Sequence, residues 1–140
     1  MEIIKTRNCF KANEVWKDLR AFNAANNEHL AQKDAYVRKY HNFVAQENGK
    51  VLGGALCKTI YNWLYIDTLK VKEEFRGQDI GSKIIAEIEK FAREKGFEGL
   101  YVDTFGFQAR PFYEKQGFAL NGTIEGYPPG SKMFILTKKF

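Results

Sequence analysis

Three features of the 140-residue sequence predict an α/β (α+β) fold in which helices pack on a mixed, mostly antiparallel sheet of about seven strands. Two stretches, Asn13 to about Asn26 and Ile80 to Lys95, carry apolar residues at helical spacing. Short runs that alternate, or that are rich in aromatic and β-branched residues, are separated by turn signals and read as strands. The helix between Val71 and Leu100 is long enough to form a crossover, so the strands on either side of it can lie parallel. The hairpin-linked strands before it must be antiparallel.

In chain order, Glu2 to Thr6 reads as a first strand. Asn13 is placed to cap a helix whose stripe is Val15, Trp16, Leu19, Phe22 and Ala25. Asn42 to Glu47 and Val51 to Ile60 flank Asn48-Gly49, a pair that tolerates the positive backbone angles of a tight hairpin turn. After Tyr61-Asn62, the run Trp63 to Val71 alternates from Leu64 to Asp67 and again from Leu69 to Val71, which predicts a third strand of the meander. Ile80, Ile84, Ile85, Ile88, Phe91 and Ala92 line one stripe of the next helix, and Gly96 supplies its C-terminal cap. Gly99 to Thr104 is a strand, Ala109 to Gln116 a short helix ending at Gly117, and Phe118 to Ile124 and Met133 to Lys138 are the last strands. No repeat or linker interrupts this order, so a single domain over residues 1–140 is expected.

Hydrophobic content of 44%, with 15% aromatics and only 3 Pro, excludes a disordered or collagen-like chain. No apolar run approaches the roughly 20 residues that span a bilayer. The N-terminus Met1 to Lys5 lacks the apolar stretch of a signal peptide, so a cytoplasmic protein with no membrane partner is expected. The 22 Lys and Arg against 17 Asp and Glu leave a net charge of +5, the right sign for a polyanionic ligand but also ordinary for solubility. The basic residues are interleaved with acids and form no recognition-helix pattern, which argues against nucleic acid. Cys9 and Cys57 read as reduced structural thiols, and His29 and His41 have no partners at metal-ligand spacing, so no metal is expected.

The segment from Val71 to Lys83 is a strand, a glycine-containing turn and a helix start, in that order. A helix start offers free N–H groups and the positive end of the helix dipole, and Gly77 and Gly81 let an anion approach the backbone without a Cβ in the way. A pyrophosphate fits such a site; an ordinary strand-to-helix turn would also need glycine. No Gly-Lys-Ser/Thr follows, so this is not a P-loop, and the glycine spacing is not a dinucleotide fingerprint.

Arg76-Gly77-Gln78-Asp79-Ile80-Gly81 resembles the signature of the GNAT superfamily of acyl-CoA N-acyltransferases: Arg or Gln, two residues, Gly, one residue, then Gly or Ala. Asp79 stands where the signature has Gly; it adds a negative charge, tolerates a left-handed conformation and can cap the helix. Gln108 to Phe118, with its Phe-Tyr-x-x-x-Gly-Phe, resembles the second half of the same fold. Tyr65-Ile66-Asp67, Asp103-Thr104-Phe105 and Tyr127-Pro128-Pro129-Gly130 are similar to a group of small bacterial members. The resemblance implies about four helices around the sheet, acetyl-CoA as acyl donor, and a primary amine of a small molecule or peptide as acceptor. A binding module that has lost turnover is the alternative.

The resemblance also implies site residues. Leu69, Lys70 and Val71 would pair with the pantetheine arm like an added strand, while Arg76, Gly77, Gln78, Asp79, Ile80, Gly81 and Ser82 would hold the pyrophosphate. Tyr113 matches the tyrosine that in many relatives lies near the cofactor sulfur and is expected to be the general acid, although packing beside Phe112 would also explain it. A protonated amine needs a base, for which Asp67, Glu73, Glu74 and Asp103 are candidates. Asp67 leads them, because it lies in an otherwise apolar strand, where a carboxylate is costly unless paired with a Lys or used. A strand N–H near Val71 would hold the oxyanion. Tyr127 to Gly130 is a rigid turn that can border an acceptor pocket or simply join strands. With no Gly-x-Ser-x-Gly and no Cys paired to a His and an acid, direct transfer in a ternary complex is expected. Met133 to Leu136 is apolar enough for a homodimer contact or for a central strand.

Overall fold

The computed structural model describes residues 1–140, which divide into two compact units, Met1–Val37 and Arg38–Phe140. In the first, residues 1–8 form no strand: the expected strand at Glu2 to Thr6 has no pairing partner, and strand geometry persists only where a neighbour takes its backbone hydrogen bonds. Helix α1 spans Cys9–Asn26 and starts earlier than its apolar periodicity implies. Its cap is Asn8, whose side chain accepts from the N–H groups of Phe10 and Lys11, so Asn13 lies inside the helix. Within this unit Tyr36 is the anchor. Trp16 meets its ring edge-on at 5.6 Å, Arg20 lies 4.6 Å from its centre, and Asn23 donates to its hydroxyl at 3.1 Å.

The second unit is a six-stranded sheet with β1 (Tyr40–Glu47), β2 (Lys50–Ile60), β3 (Trp63–Val71), β4 (Gly99–Phe105), β5 (Ala119–Glu125) and β6 (Lys132–Lys139). Its spatial order is β1-β2-β3-β4-β6-β5, and only β3 and β4 are parallel. Asn48 and Gly49 take the positive φ angles that close the β1–β2 hairpin. The α+β class is as expected, with one strand fewer because the N-terminal one is absent. Three α-helices and one short 3₁₀ turn stand in place of about four helices. Strand β6 lies between β4 and β5, and that position accounts for its apolar Met133 to Leu136.

Helix α2 (Ile80–Glu94) makes the crossover. Ile80, Ile84, Ile85, Ile88 and Ala92 are all buried, and they meet Ala55, Cys57, Leu64, Ile66, Leu100, Val102 and Leu136 of the sheet in one core. Each buried Ile contributes about 1.5–3 kcal/mol by leaving water. No helix of the structure is long and apolar enough to cross a membrane. Helix α3 (Arg110–Lys115) follows β4 and ends at Gly117, whose φ of 89° is the left-handed conformation a helix stop requires.

An ionic contact ties α2 to β6. Glu89 accepts from Lys138 and, one turn along the helix, from Arg93. Burial by itself would raise the Glu89 pKa, but the hydrogen bonds and charges of Lys138 and Arg93 outweigh it and hold the carboxyl below its ordinary value. A carboxyl lowered on folding adds stability that is present above its unfolded value, near 4.3, and is lost as pH falls through the lower folded value. Glu89→Gln is therefore expected to be less stable than the parent at pH 7. In urea titrations the gap should close as pH falls below the ordinary glutamate value of about 4.3; a gap that stays constant on acidification would show that the contact carries no charge effect.

Candidate active site

Strands β3 and β4 begin as a parallel pair and then part. Their ladder runs from Trp63 opposite Gly99 to Ile66 opposite Val102 and stops there, although β3 continues to Val71 and β4 to Phe105. Beyond that point each strand keeps only its outer neighbour: Leu69, Lys70 and Val71 pair with Ala55, Gly54 and Gly53 of β2, and Asp103, Thr104 and Phe105 pair with β6. A bulge marks the divergence, with Asp67 as the extra residue between the Cys57–Ile66 and Leu56–Thr68 pairs. The inner edge of β3 from Asp67 to Val71 is thus open, and a cavity of about 740 Å³ fills the gap.

The floor beyond Val71 is the turn into α2. A short 3₁₀ segment, Glu73–Phe75, leads to Gly77 with φ 76° and Asp79 with φ 57°. Asp79 adopts the left-handed conformation expected of it, but its side chain makes no capping bond. The first turn of α2 therefore keeps its N–H groups for another acceptor. Gly81 lines the cavity, and a Cβ there would meet the Phe112 ring at 3.2 Å. Arg76 and Lys70 also line it; Arg76 is exposed and pairs loosely with Glu73 at 3.6 Å. Ile80 faces the core and offers only its backbone, Ser82 accepts from Gln116 at 3.0 Å, and Gln78 and Glu74 are exposed.

The two sequence motifs meet here. Phe112 of α3 lies on Gly81 of α2, and the Gln116 amide bonds Ser82, so α3 is clamped to the first turn of α2. Gln108, at the head of the second motif, accepts from the Phe105 N–H at 2.8 Å and from the Thr104 hydroxyl at 3.2 Å, which fixes the end of β4. Tyr113 is 6% exposed, lines the cavity and packs between Phe112 and Phe118. Burial, then the negative charge of Asp103, pushes its phenol up to about 12, so it keeps its proton throughout the physiological range.

At the other end of the cavity stand two carboxylates. Asp67 pairs with Lys58 at 3.3 Å across the β2–β3 ladder, the cross-sheet Lys pairing that competed with a catalytic role, yet it also lines the cavity. Asp103 accepts a 2.7 Å hydrogen bond from the Tyr65 hydroxyl. Burial, then that bond and the nearby carboxylate charges, raise Tyr65; burial and the same carboxylate also raise Tyr101, whose ring lies 4.6 Å from that of Tyr65. Among the four candidate bases, the fold brings Asp67 and Asp103 together in the cavity and leaves Glu73 and Glu74 on the exposed turn. Phe107 and Gln108 line the cavity and Tyr65 bonds one of its carboxylates; the motifs that contain Tyr65 and Gln108 assign them no such role. The Tyr65–Asp103 pair depends on the register of two distant strands, whereas Phe107, 70% exposed in a loop, is visible in sequence only as an aromatic between Gly106 and Gln108.

Burial followed by the charge of Asp67 raises the Cys57 thiol to about 12, which keeps it a thiol rather than a nucleophile. His41 packs on Phe91 and Phe97 with a ring nitrogen 3.1 Å from Thr59, while His29 is exposed. No group of three His, Cys, Asp or Glu side chains is arranged to hold a metal.

An open strand edge leading to a helix N-terminus and a basic turn can hold an extended, amide-bearing ligand that ends in phosphate, with two carboxylates and a buried tyrosine around its far end. Fold and site together define a small α+β acyltransferase. The chain belongs to the acetyltransferase (GNAT) family, whose model matches residues 8–118. It is 38% identical over 101 residues to a blasticidin-S acetyltransferase of Streptomyces morookaense, covering 71% of this chain and 74% of that one. It is 35% identical over 97 residues to an acetyltransferase of Agrobacterium fabrum, covering 69% and 71%. The crystal structure of an acetyltransferase from Bacillus cereus superposes with a TM-score of 0.82 at 27% identity, over 100% of this chain and 99% of that one.

Proposed function

We propose that this acetyltransferase moves an acetyl group from acetyl-CoA to a primary amine of a small-molecule or peptide acceptor, by direct attack with both substrates bound. The observation that carries this reading is the parting of β3 from β4 opposite the first turn of α2. The similarity to an enzyme named for the antibiotic it acetylates supports a small-molecule acceptor.

In this reading the open edge at Leu69, Lys70 and Val71 pairs with the amides of the pantetheine arm. Arg76 and the backbone of Gly77, Gln78, Asp79, Ile80, Gly81 and Ser82 hold the pyrophosphate. The thioester supplies an electrophilic carbonyl carbon and a sulfur leaving group. Asp67, half-exposed and so reachable by water, helps pass to solvent the proton that an amine of pKa near 10.4 must lose before it attacks. A strand N–H near Val71 steadies the oxyanion. As the C–N bond forms and the C–S bond breaks, the Tyr113 hydroxyl faces the developing charge on sulfur. With its phenol at about 12 and a thiol near 8.5, complete proton transfer is uphill by roughly 5 kcal/mol. Tyr113 therefore acts by hydrogen-bonding the departing sulfur, and the second proton, which the nitrogen sheds as the amide forms, passes through solvent to the released thiolate.

Calorimetric titration with acetyl-CoA, paired with an assay for released CoA thiol over a panel of amines, tests the proposal. Micromolar binding and thiol release that requires an amine are expected. Absence of acetyl-CoA binding, or release that ignores the amine, overturns it.

A further inference from the structure

The acid end of the cavity carries a second message. Asp103 is bonded by the Tyr65 hydroxyl and by that of Tyr101, yet a carboxylate with two such donors still has lone pairs left to accept, and it lines the cavity together with Asp67. Lys58 balances the charge of Asp67, so one net negative charge remains at this end. The other end is lined by Lys70, by Arg76 with its loose partner Glu73, and by the start of α2, so the cationic groups of the cavity lie away from its carboxylates. Phe107, which lines the cavity with Asp103, belongs to a cluster of three rings whose other members, Phe105 and Tyr127, lie outside the lining. Phe105 lies 5.5 Å from Phe107 and 6.2 Å from Tyr127, which stands at the head of the Tyr127 to Gly130 turn. Phe107 is 70% and Tyr127 52% exposed, although Phe107 lines the cavity. Large rings left in water beside a carboxylate match the two faces of an organic cation: a charge for the acid and a flat body for the rings.

We infer that Asp103 and the Phe105–Phe107–Tyr127 cluster form the acceptor subsite, and that it selects a cationic amine carried on a planar ring while rejecting acceptors with a carboxylate near the amine. This inference rests on the acetyltransferase reading above and specifies its substrate class. Asp103 here binds and orients the acceptor, whereas Asp67 handles the proton. A carboxylate-bearing acceptor would face the net negative charge of this end and leave Asp103 without a cationic partner.

The test uses the CoA-saturated protein and two probes with the same ring and opposite charge, tryptamine and indole-3-propionate, titrated by calorimetry. Tryptamine is expected to bind at least tenfold more tightly. Asp103→Asn should erase that preference, and Phe107→Ala should weaken both probes about equally. Asp67→Asn, on the half-exposed side of the cavity, keeps the test open if Asp103→Asn does not fold, and should shrink the preference by several-fold. Equal or tighter binding of the propionate, absence of tryptamine binding, or an undiminished preference in the folded variants overturns the inference. Failure of the protein to bind CoA would instead overturn the acetyl-CoA reading, and the same two titrations on the unliganded protein would then decide the subsite by themselves.

Discussion

Gly81→Trp should weaken acetyl-CoA binding by at least 100-fold, about 2.7 kcal/mol at 25 °C. The position has no side chain, lines the cavity and belongs to the first turn of α2, where the proposed phosphate contacts are backbone N–H groups. Even a Cβ there would lie 3.2 Å from the Phe112 ring, so an indole has nowhere to go but the space that the pyrophosphate needs or the space that Phe112 occupies. Calorimetry reads the affinity, and thermal unfolding separates a blocked site from a damaged fold. A variant that stays folded and binds acetyl-CoA like the parent would remove the pyrophosphate from this turn.

Tyr113→Phe is expected to lower kcat by about 100-fold while leaving the KM for acetyl-CoA within about twofold. The substitution keeps the ring that packs 5.2 Å from Phe112 and 5.5 Å from Phe118 and removes only the hydroxyl. Because the phenol stays protonated up to about 12, the parent's rate should show no alkaline fall attributable to Tyr113 below about pH 10. Steady-state kinetics from pH 6 to 10 on both proteins would check this. Unchanged turnover in the variant, with cofactor binding intact, would reduce Tyr113 to a packing residue.

Much of the molecule is legible because its signals are local. Asn48-Gly49 specifies the hairpin through the backbone angles those two residues accept, and the α2 stripe from Ile80 to Ala92 follows from a period that needs no knowledge of what covers it. The glycine turn from Arg76 to Gly81, where we propose that the pyrophosphate binds, is legible in the same way, through residues that adjoin in the chain. Boundaries that depend on competition between neighbours were less legible. Asn8 and Asn13 are both competent caps, and the earlier one wins because α1 extends to Cys9. Glu2 to Thr6 has strand character but no ladder.

The sequence by itself therefore determined the class of fold and the order of its elements from β1 onward, because each is written in residues a few positions apart. The tertiary structure alone decided where β3 leaves β4, that Phe112 and Gln116 close onto Gly81 and Ser82, and that Tyr65 reaches Asp103 thirty-eight residues away. Those features arise from strand register and side-chain packing between distant segments, which cost chain entropy to assemble and leave no periodic trace along the chain.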